Sequence, residues 1–103
     1  MSKKFVSTMR KGFQMTFENG LTASVQWGAG NDCDNKRPAD GDFSCRRDAE
    51  SNTAEVAVFH QRDFIDIAPF VPENASENGM VCGWLSPEQV LDFLNKVREF
   101  KAV

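Results

Sequence analysis

The segment from Gly12 to Trp27 constrains the fold more than any other part of this sequence. Apolar and polar residues alternate along its first half and again along its second half, which is the pattern of two half-buried β-strands. The apolar positions are Phe13, Met15, Phe17 and then Leu21, Ala23, Val25, Trp27. Asn19-Gly20 stands between the two halves and marks a turn. The segment therefore predicts an antiparallel β-hairpin with one apolar face.

Two loop lengths are open to this hairpin, and they differ in which residues share a face. A two-residue turn pairs Phe17 with Thr22, so the apolar residues of the two strands point to opposite sides. A three-residue loop, Glu18 to Gly20, pairs Phe17 with Leu21 and collects the apolar residues on one face. Gly20 then takes the left-handed position of a G1 bulge. Because exposing each large side chain costs about 1.5–3 kcal/mol, the sequence predicts the three-residue loop.

The other strands follow from shorter patterns. A strand is predicted near Phe5-Val6, another over Thr53–His60, a short one over Phe64–Ile67 and a last one over Met80–Leu85. Both faces of the Thr53–His60 strand carry apolar residues. We therefore expect this strand at the centre of the sheet, with both faces covered.

The C-terminal segment predicts a helix with a well-marked start. Ser86 is typical of an N-cap, Pro87 suits the first helical position, and Gln89 completes a capping box. The apolar stripe of the helix consists of Val90, Leu91, Phe93, Leu94, Val97 and Phe100. We expect this stripe to cover the apolar face of the hairpin. The fold predicted for residues 1–103 is a single α+β domain, an antiparallel sheet of four to five strands with one C-terminal helix packed on one face.

Residues 28–52 interrupt this pattern with a long irregular loop that is rich in glycine and charged residues. Loops of this length inside a compact domain are commonly functional or disordered. Phe43, Arg46 and Arg47 stand close together in it, as an aromatic anchor among charged neighbours. These three residues are our candidate contacts with a protein partner, because mixed charges favour specific contacts at modest affinity.

The turn Gly28-Ala29-Gly30-Asn31 supports a second hypothesis, the binding of a small anionic ligand. The turn follows a strand, and backbone N–H groups that converge in such a turn bind anions. Gly28, Gly30 and Asn31, with Arg37 as a cationic partner, would then hold a nucleotide or another phosphate compound. The spacing matches neither the dinucleotide fingerprint nor the P-loop. The structural alternative is that the glycines let the chain leave the sheet at a sharp angle.

Neither catalysis nor metal binding has a clear pattern in this sequence. His60 is the only histidine, and there is no close pair of ligands among Cys33, Cys45, His60 and Cys82. We therefore expect a non-enzymatic protein that contains no metal or cofactor.

Charge and cysteine content bound the partners and the compartment. The formal net charge of −3, without a run of like charges, argues against a general nucleic-acid binder. The local exception is a basic fringe around the first strand, formed by Lys3, Lys4, Arg10 and Lys11, for which a solvated face is the usual role and contact with phosphate the alternative. Three cysteines form no disulfide framework, and the chain shows neither a signal-peptide pattern nor a membrane span. We expect a cytoplasmic protein.

One longer pattern spans the hairpin and the turn after it. It reads G-F-x-x-x-F-x-N-G…S-V-Q-W-G-x-G-N and continues into a G-x-G-N-x-C turn from Gly28 to Cys33. This pattern resembles small uncharacterised proteins associated with bacteriophages and their hosts. Relatives often carry an aromatic residue where this chain has Asp32, so no role is carried over to that position. The resemblance implies a phage or mobile-element setting, hence a partner in the host cell, and it implies no activity.

Overall fold

The computed structural model describes residues 3–37, 49–76 and 78–101, which form a six-stranded antiparallel sheet and one α-helix. The strands are β1 (Lys4–Ser7), β2 (Gly12–Thr16), β3 (Leu21–Gln26), β4 (Ala54–His60), β5 (Asp63–Phe64) and β6 (Val81–Leu85), and the helix is α1 (Pro87–Glu99). Strands β1 to β4 pair in chain order, and β5 and β6 share the far edge of β4.

This architecture is the predicted α+β fold, with six strands where the sequence predicted four to five. The strand predicted over Phe64–Ile67 is only the two-residue β5, after which the chain turns inward. Ile67 is buried, and a 3₁₀ turn follows at Ala68–Phe70. β6 pairs with the same edge of β4 from Ala57 onward, so β5 has no room to continue along it, which accounts for the shortening.

The central hairpin, β2 with β3, has the register that the sequence predicts. Met15 lies opposite Ala23, and the N–H of Phe17 donates to the carbonyl oxygen of Leu21 at 2.9 Å. Gly20 has a φ of 89°, the left-handed conformation required of the last residue in the three-residue loop. The apolar residues of both strands therefore lie on one face.

The hydrophobic core lies between this face and α1. The capping box at Ser86 is formed as predicted, and Phe93 and Val97 of the helix are buried against the sheet. Val90 and Leu94 pack at the border of the core. The stripe is narrower than predicted, because Leu91 lies on the outer side of the helix and is mostly exposed.

A single side chain joins the hairpin loop to the end of α1. The Nδ2 of Asn19 donates to the carbonyl oxygens of Val97 at 2.7 Å, Arg98 at 3.3 Å and Phe100 at 2.9 Å. Its Oδ1 accepts from the N–H of Leu21 at 3.0 Å. The last carbonyls of a helix have no partner within the helix. The turn residue of the hairpin therefore also caps the helix.

The other face of the sheet is covered by no helix in the described part of the chain. The Thr16 and Thr22 hydroxyls lie 2.8 Å apart there, and the Phe59 ring packs on Phe64 with centroids 4.5 Å apart. An open cleft of about 500 Å³ lies over the rest of this face. The coverage predicted for both faces of β4 is complete on the helix side and partial on this face, where Ala57 is buried and Phe59 half-buried.

Candidate functional site

The predicted contacts with a protein partner, Phe43, Arg46 and Arg47, lie outside the described residues and stay a prediction. The segments that flank them are anchored by hydrogen bonds. Trp27 Nε1 donates to the carbonyl oxygen of Ala49 at 2.8 Å, and Asn35 Nδ2 donates to the carbonyl oxygens of Trp27 at 2.8 Å and Glu50 at 2.6 Å. In the described part of the predicted loop, these hydrogen bonds therefore hold the segment after β3 next to the segment before β4.

Three residues of the predicted anion site, Gly28, Gly30 and Asn31, lie in one turn after β3. The fourth, Arg37, is joined to this turn through its backbone. The N–H of Gly28 donates to Oδ1 of Asn31 at 3.0 Å, and the N–H of Arg37 donates to the carbonyl oxygen of Ala29 at 2.9 Å. These two backbone donors are already engaged within the turn.

A carboxylate of the protein itself occupies the turn. Glu55 of β4 accepts from Nδ2 of Asn31 at 3.0 Å and from the N–H of Asp32 at 3.1 Å. The Lys36 ammonium pairs with the Asp32 carboxylate and lowers the pKa of that carboxyl below its ordinary value. The prediction of an external anion stays open, and the structure adds a requirement: the ligand must displace Glu55.

The same turn is tied to β6 by a bulge. Gly83 and Trp84 interrupt the ladder between β4 and β6, and the N–H of Trp84 donates to the carbonyl oxygen of Asp32 at 2.9 Å. A Cβ atom on Gly83 would lie 2.4 Å from the Cβ of Asp32, so only glycine allows this approach. Trp84 takes a φ of 61° as a consequence of the bulge.

The structure describes three of the four residues considered for metal or nucleophilic chemistry. Cys33 and Cys82 are buried free cysteines, and burial raises the pKa of the Cys82 thiol, which lowers its reactivity. His60 is exposed, and Cys45 lies outside the described ranges. Among the residues that the structure describes, no group of three or more His, Cys, Asp and Glu could hold a metal ion. Nor does any described helix have the length and apolar character to cross a membrane.

The edge strand β1 is a surface of which the sequence indicated only the basic fringe. In the described part of the chain it pairs with β2 alone, and all four of its residues are exposed. Phe5 in this strand and Met9 in the turn after it are 78% and 75% exposed, and Val6 is exposed as well. Phe5 lies on the helix side of the sheet and Val6 on the other side, so the strand exposes an apolar side chain on each face. The sequence predicted the strand, but only the sheet order shows that it lies at an edge.

The turn between β1 and β2 is strained. The N–H of Lys11 donates to the carbonyl oxygen of Thr8 at 3.0 Å, and the two residues between them, Met9 and Arg10, have φ values of 50° and 64°. This conformation costs an L-residue about 1–2 kcal/mol, and hairpin turns that need it favour Asn-Gly. Backbone strain of this kind clusters at functional sites.

Clefts lie beside β1 on both faces of the sheet. On the helix side, a cleft of about 420 Å³ has an apolar part formed by Phe5, Met15 and Phe17. On the other side, the open cleft over the sheet reaches Met9 and the Ser7 end of β1. Among the residues that the structure describes, none covers the outer edge of this strand, and clefts flank it on both faces.

Comparison of the chain with models of protein families, with curated proteins and with solved structures finds no match.

Proposed function

We propose that this chain is a non-enzymatic interaction protein, encoded by a phage or mobile element, that docks on a protein of the host cell through the free edge of β1. The observation that carries the proposal is the exposure of this strand and of the turn after it, which present Phe5, Val6 and Met9 to solvent. The phage setting rests on the resemblance of the hairpin and the turn that follows it.

Along β1, the backbone N–H and C=O groups of successive residues point alternately toward β2 and toward the free edge. The N–H of Thr8 donates to the carbonyl oxygen of Gly12 at 3.1 Å, which fixes Thr8 as a residue bonded to β2. In an antiparallel ladder the bonded residues alternate along the strand. Val6 therefore also bonds to β2, whereas Phe5 and Ser7 direct their N–H and C=O groups outward. An extended segment of a partner protein can pair with these groups by strand addition.

Strand addition at this edge is selective because the edge is short and charged. β1 has four residues and starts with a lysine, and Lys3 precedes it. Short edges that carry lysine resist indiscriminate pairing with other chains. A partner must therefore supply complementary side chains as well as a free backbone.

Capture of host proteins by two variants tests the proposal. Ser7→Pro removes an outward N–H and leaves the bonds between β1 and β2 in place, so we expect an unchanged melting temperature and loss of the captured partner. Leu91→Ala, at an exposed apolar position on α1, is the matched control and should keep the partner. Capture of the same proteins by Ser7→Pro would contradict docking through β1.

The predicted loop contacts are tested in the same experiment. A variant with alanine at Phe43, Arg46 and Arg47 should keep the partner if β1 is the docking surface. Loss of capture in this variant, together with retention in Ser7→Pro, would assign docking to the loop. Both variants must keep the melting temperature of the original chain for the comparison to hold.

A further inference from the structure

The cleft on the helix side of β1 is positioned to receive side chains from an added strand. It lies between β1 and the last turn of α1, where Arg98 lines it. Phe5 lies opposite Met15 of β2 and shares its face, and Phe17 continues the apolar surface. Paired residues of neighbouring antiparallel strands lie on the same face. A partner residue paired with Phe5 therefore points into this cleft.

The charges around β1 are mainly positive although the whole chain carries −3. Lys3, Lys4 and Arg98 line the helix-side cleft, where Glu18 is the acidic lining residue. Arg98 also lies 3.3 Å from Glu99, in a pair whose side chains are both exposed. Exposed pairs of this kind contribute little, so the Arg98 guanidinium is available to a stronger carboxylate partner.

On the basis of the proposed function, we infer that the partner segment is an extended peptide in which acidic residues accompany apolar ones. Its apolar side chains pack against Phe5 and Met15, and its carboxylates bind Lys3, Lys4 and Arg98. Charge complementarity of this kind sets the register and the rate of association more than the affinity. The partner is thus recognised by backbone pairing, an apolar anchor and negative charge together.

A nucleic acid fits this edge less well than a peptide. Lys3 and Lys4 stand at the start of β1 and Arg10 and Lys11 in the turn after it, so the cations do not form a continuous track along the strand that could follow a phosphate backbone. The outward peptide groups of Phe5 and Ser7 match the donors and acceptors of another extended backbone. The edge therefore favours a protein segment, and a single-stranded DNA serves as the competing probe.

Selection from a displayed library of random peptides of about ten residues tests the inference on the full chain. We expect the enriched peptides to alternate acidic and apolar residues and to fail on Ser7→Pro. Their affinity should fall about tenfold or more in the double variant Lys3→Glu, Lys4→Glu, and also when salt is raised from about 50 to about 500 mM. Lys96→Glu on the exposed side of α1 is a charge-reversal control away from the cleft and should bind normally.

The outcomes separate this inference from the proposed function. Peptides that fail on Ser7→Pro but are neutral or basic, and bind the Lys3, Lys4 variant normally, would overturn the acidic partner and leave docking through β1 standing. Peptides that bind Ser7→Pro as well, or an absence of binders, would contradict both. A single-stranded DNA of about twenty nucleotides that binds more tightly than the best peptide would overturn the inference in favour of nucleic acid.

Discussion

The two hairpins that share β2 differ in their turns, their burial and their partners. The loop from β2 to β3 places glycine at its left-handed position, and its Asn19 side chain caps α1. The turn from β1 to β2 places Met9 and Arg10 in the same left-handed region, and β1 lies exposed beyond it. In one hairpin, turn chemistry, burial and capping all favour the fold. In the other, two strained residues and an exposed strand occur together, so the local rules of stability are not met there.

The largest difference in the free energy of unfolding is expected between two phenylalanine substitutions, one in the core and one in β1. Phe93 in α1 is 1% exposed and belongs to the hydrophobic core, so Phe93→Ala should lower the free energy of unfolding by about 3–5 kcal/mol. Phe5→Ala should change it by less than about 0.5 kcal/mol, because the side chain lies in solvent. Denaturant unfolding of both variants measures this contrast, and a large loss for Phe5→Ala would mean that β1 belongs to the core.

The left-handed residues of the two turns give a second, smaller contrast. Gly20→Val should lower the free energy of unfolding by about 1–2 kcal/mol or more, because a β-branched residue is strained at a φ of 89°. Met9→Gly should leave it unchanged or raise it by up to about 1 kcal/mol, since it relieves the strain of the edge turn. If Met9→Gly is as costly as Gly20→Val, the edge turn contributes to stability and the contrast fails.

The cap between the hairpin loop and the helix gives the smallest of these effects. Asn19→Asp removes the donor to the last carbonyls of α1 and puts a negative charge at the negative end of the helix, at a cost of about 1 kcal/mol at neutral pH. Because a negative charge is unfavourable beside these carbonyls, part of the loss should be recovered as the pH falls and the new carboxyl is protonated. Thermal unfolding at several pH values measures this recovery of stability. A loss that does not depend on pH would exclude the charge effect.

The hairpin and the helix were predictable because their signals are local. Only one loop length collects the apolar residues of β2 and β3 on one face, and Ser86 with Gln89 specifies the start of α1 without help from other elements. Leu91 was assigned to the wrong side because it borders the apolar stripe in sequence. Its exposure depends on how the helix sits on the sheet, which the stripe alone does not determine.

The interactions that the sequence could not predict join distant residues. Glu55 reaches Asn31 from 24 positions away and fills the turn that was predicted to hold an external anion. Asn19 meets the end of α1 from about eighty positions away, although its role in the turn was evident. The edge position of β1 likewise depends on the order of all the strands. Each of these contacts follows from the assembled sheet and has no signature in a short segment.

Amide hydrogen exchange along β1 tests most directly whether this strand is a free edge that takes up a partner strand. In the free chain the amides of Phe5 and Ser7 should exchange rapidly, while that of Val6, bonded to β2, should be protected. Addition of a saturating selected peptide should protect Phe5 and Ser7 and leave Val6 as it was. Protection of Phe5 and Ser7 in the free chain, or continued rapid exchange of both in the complex, would contradict docking by strand addition.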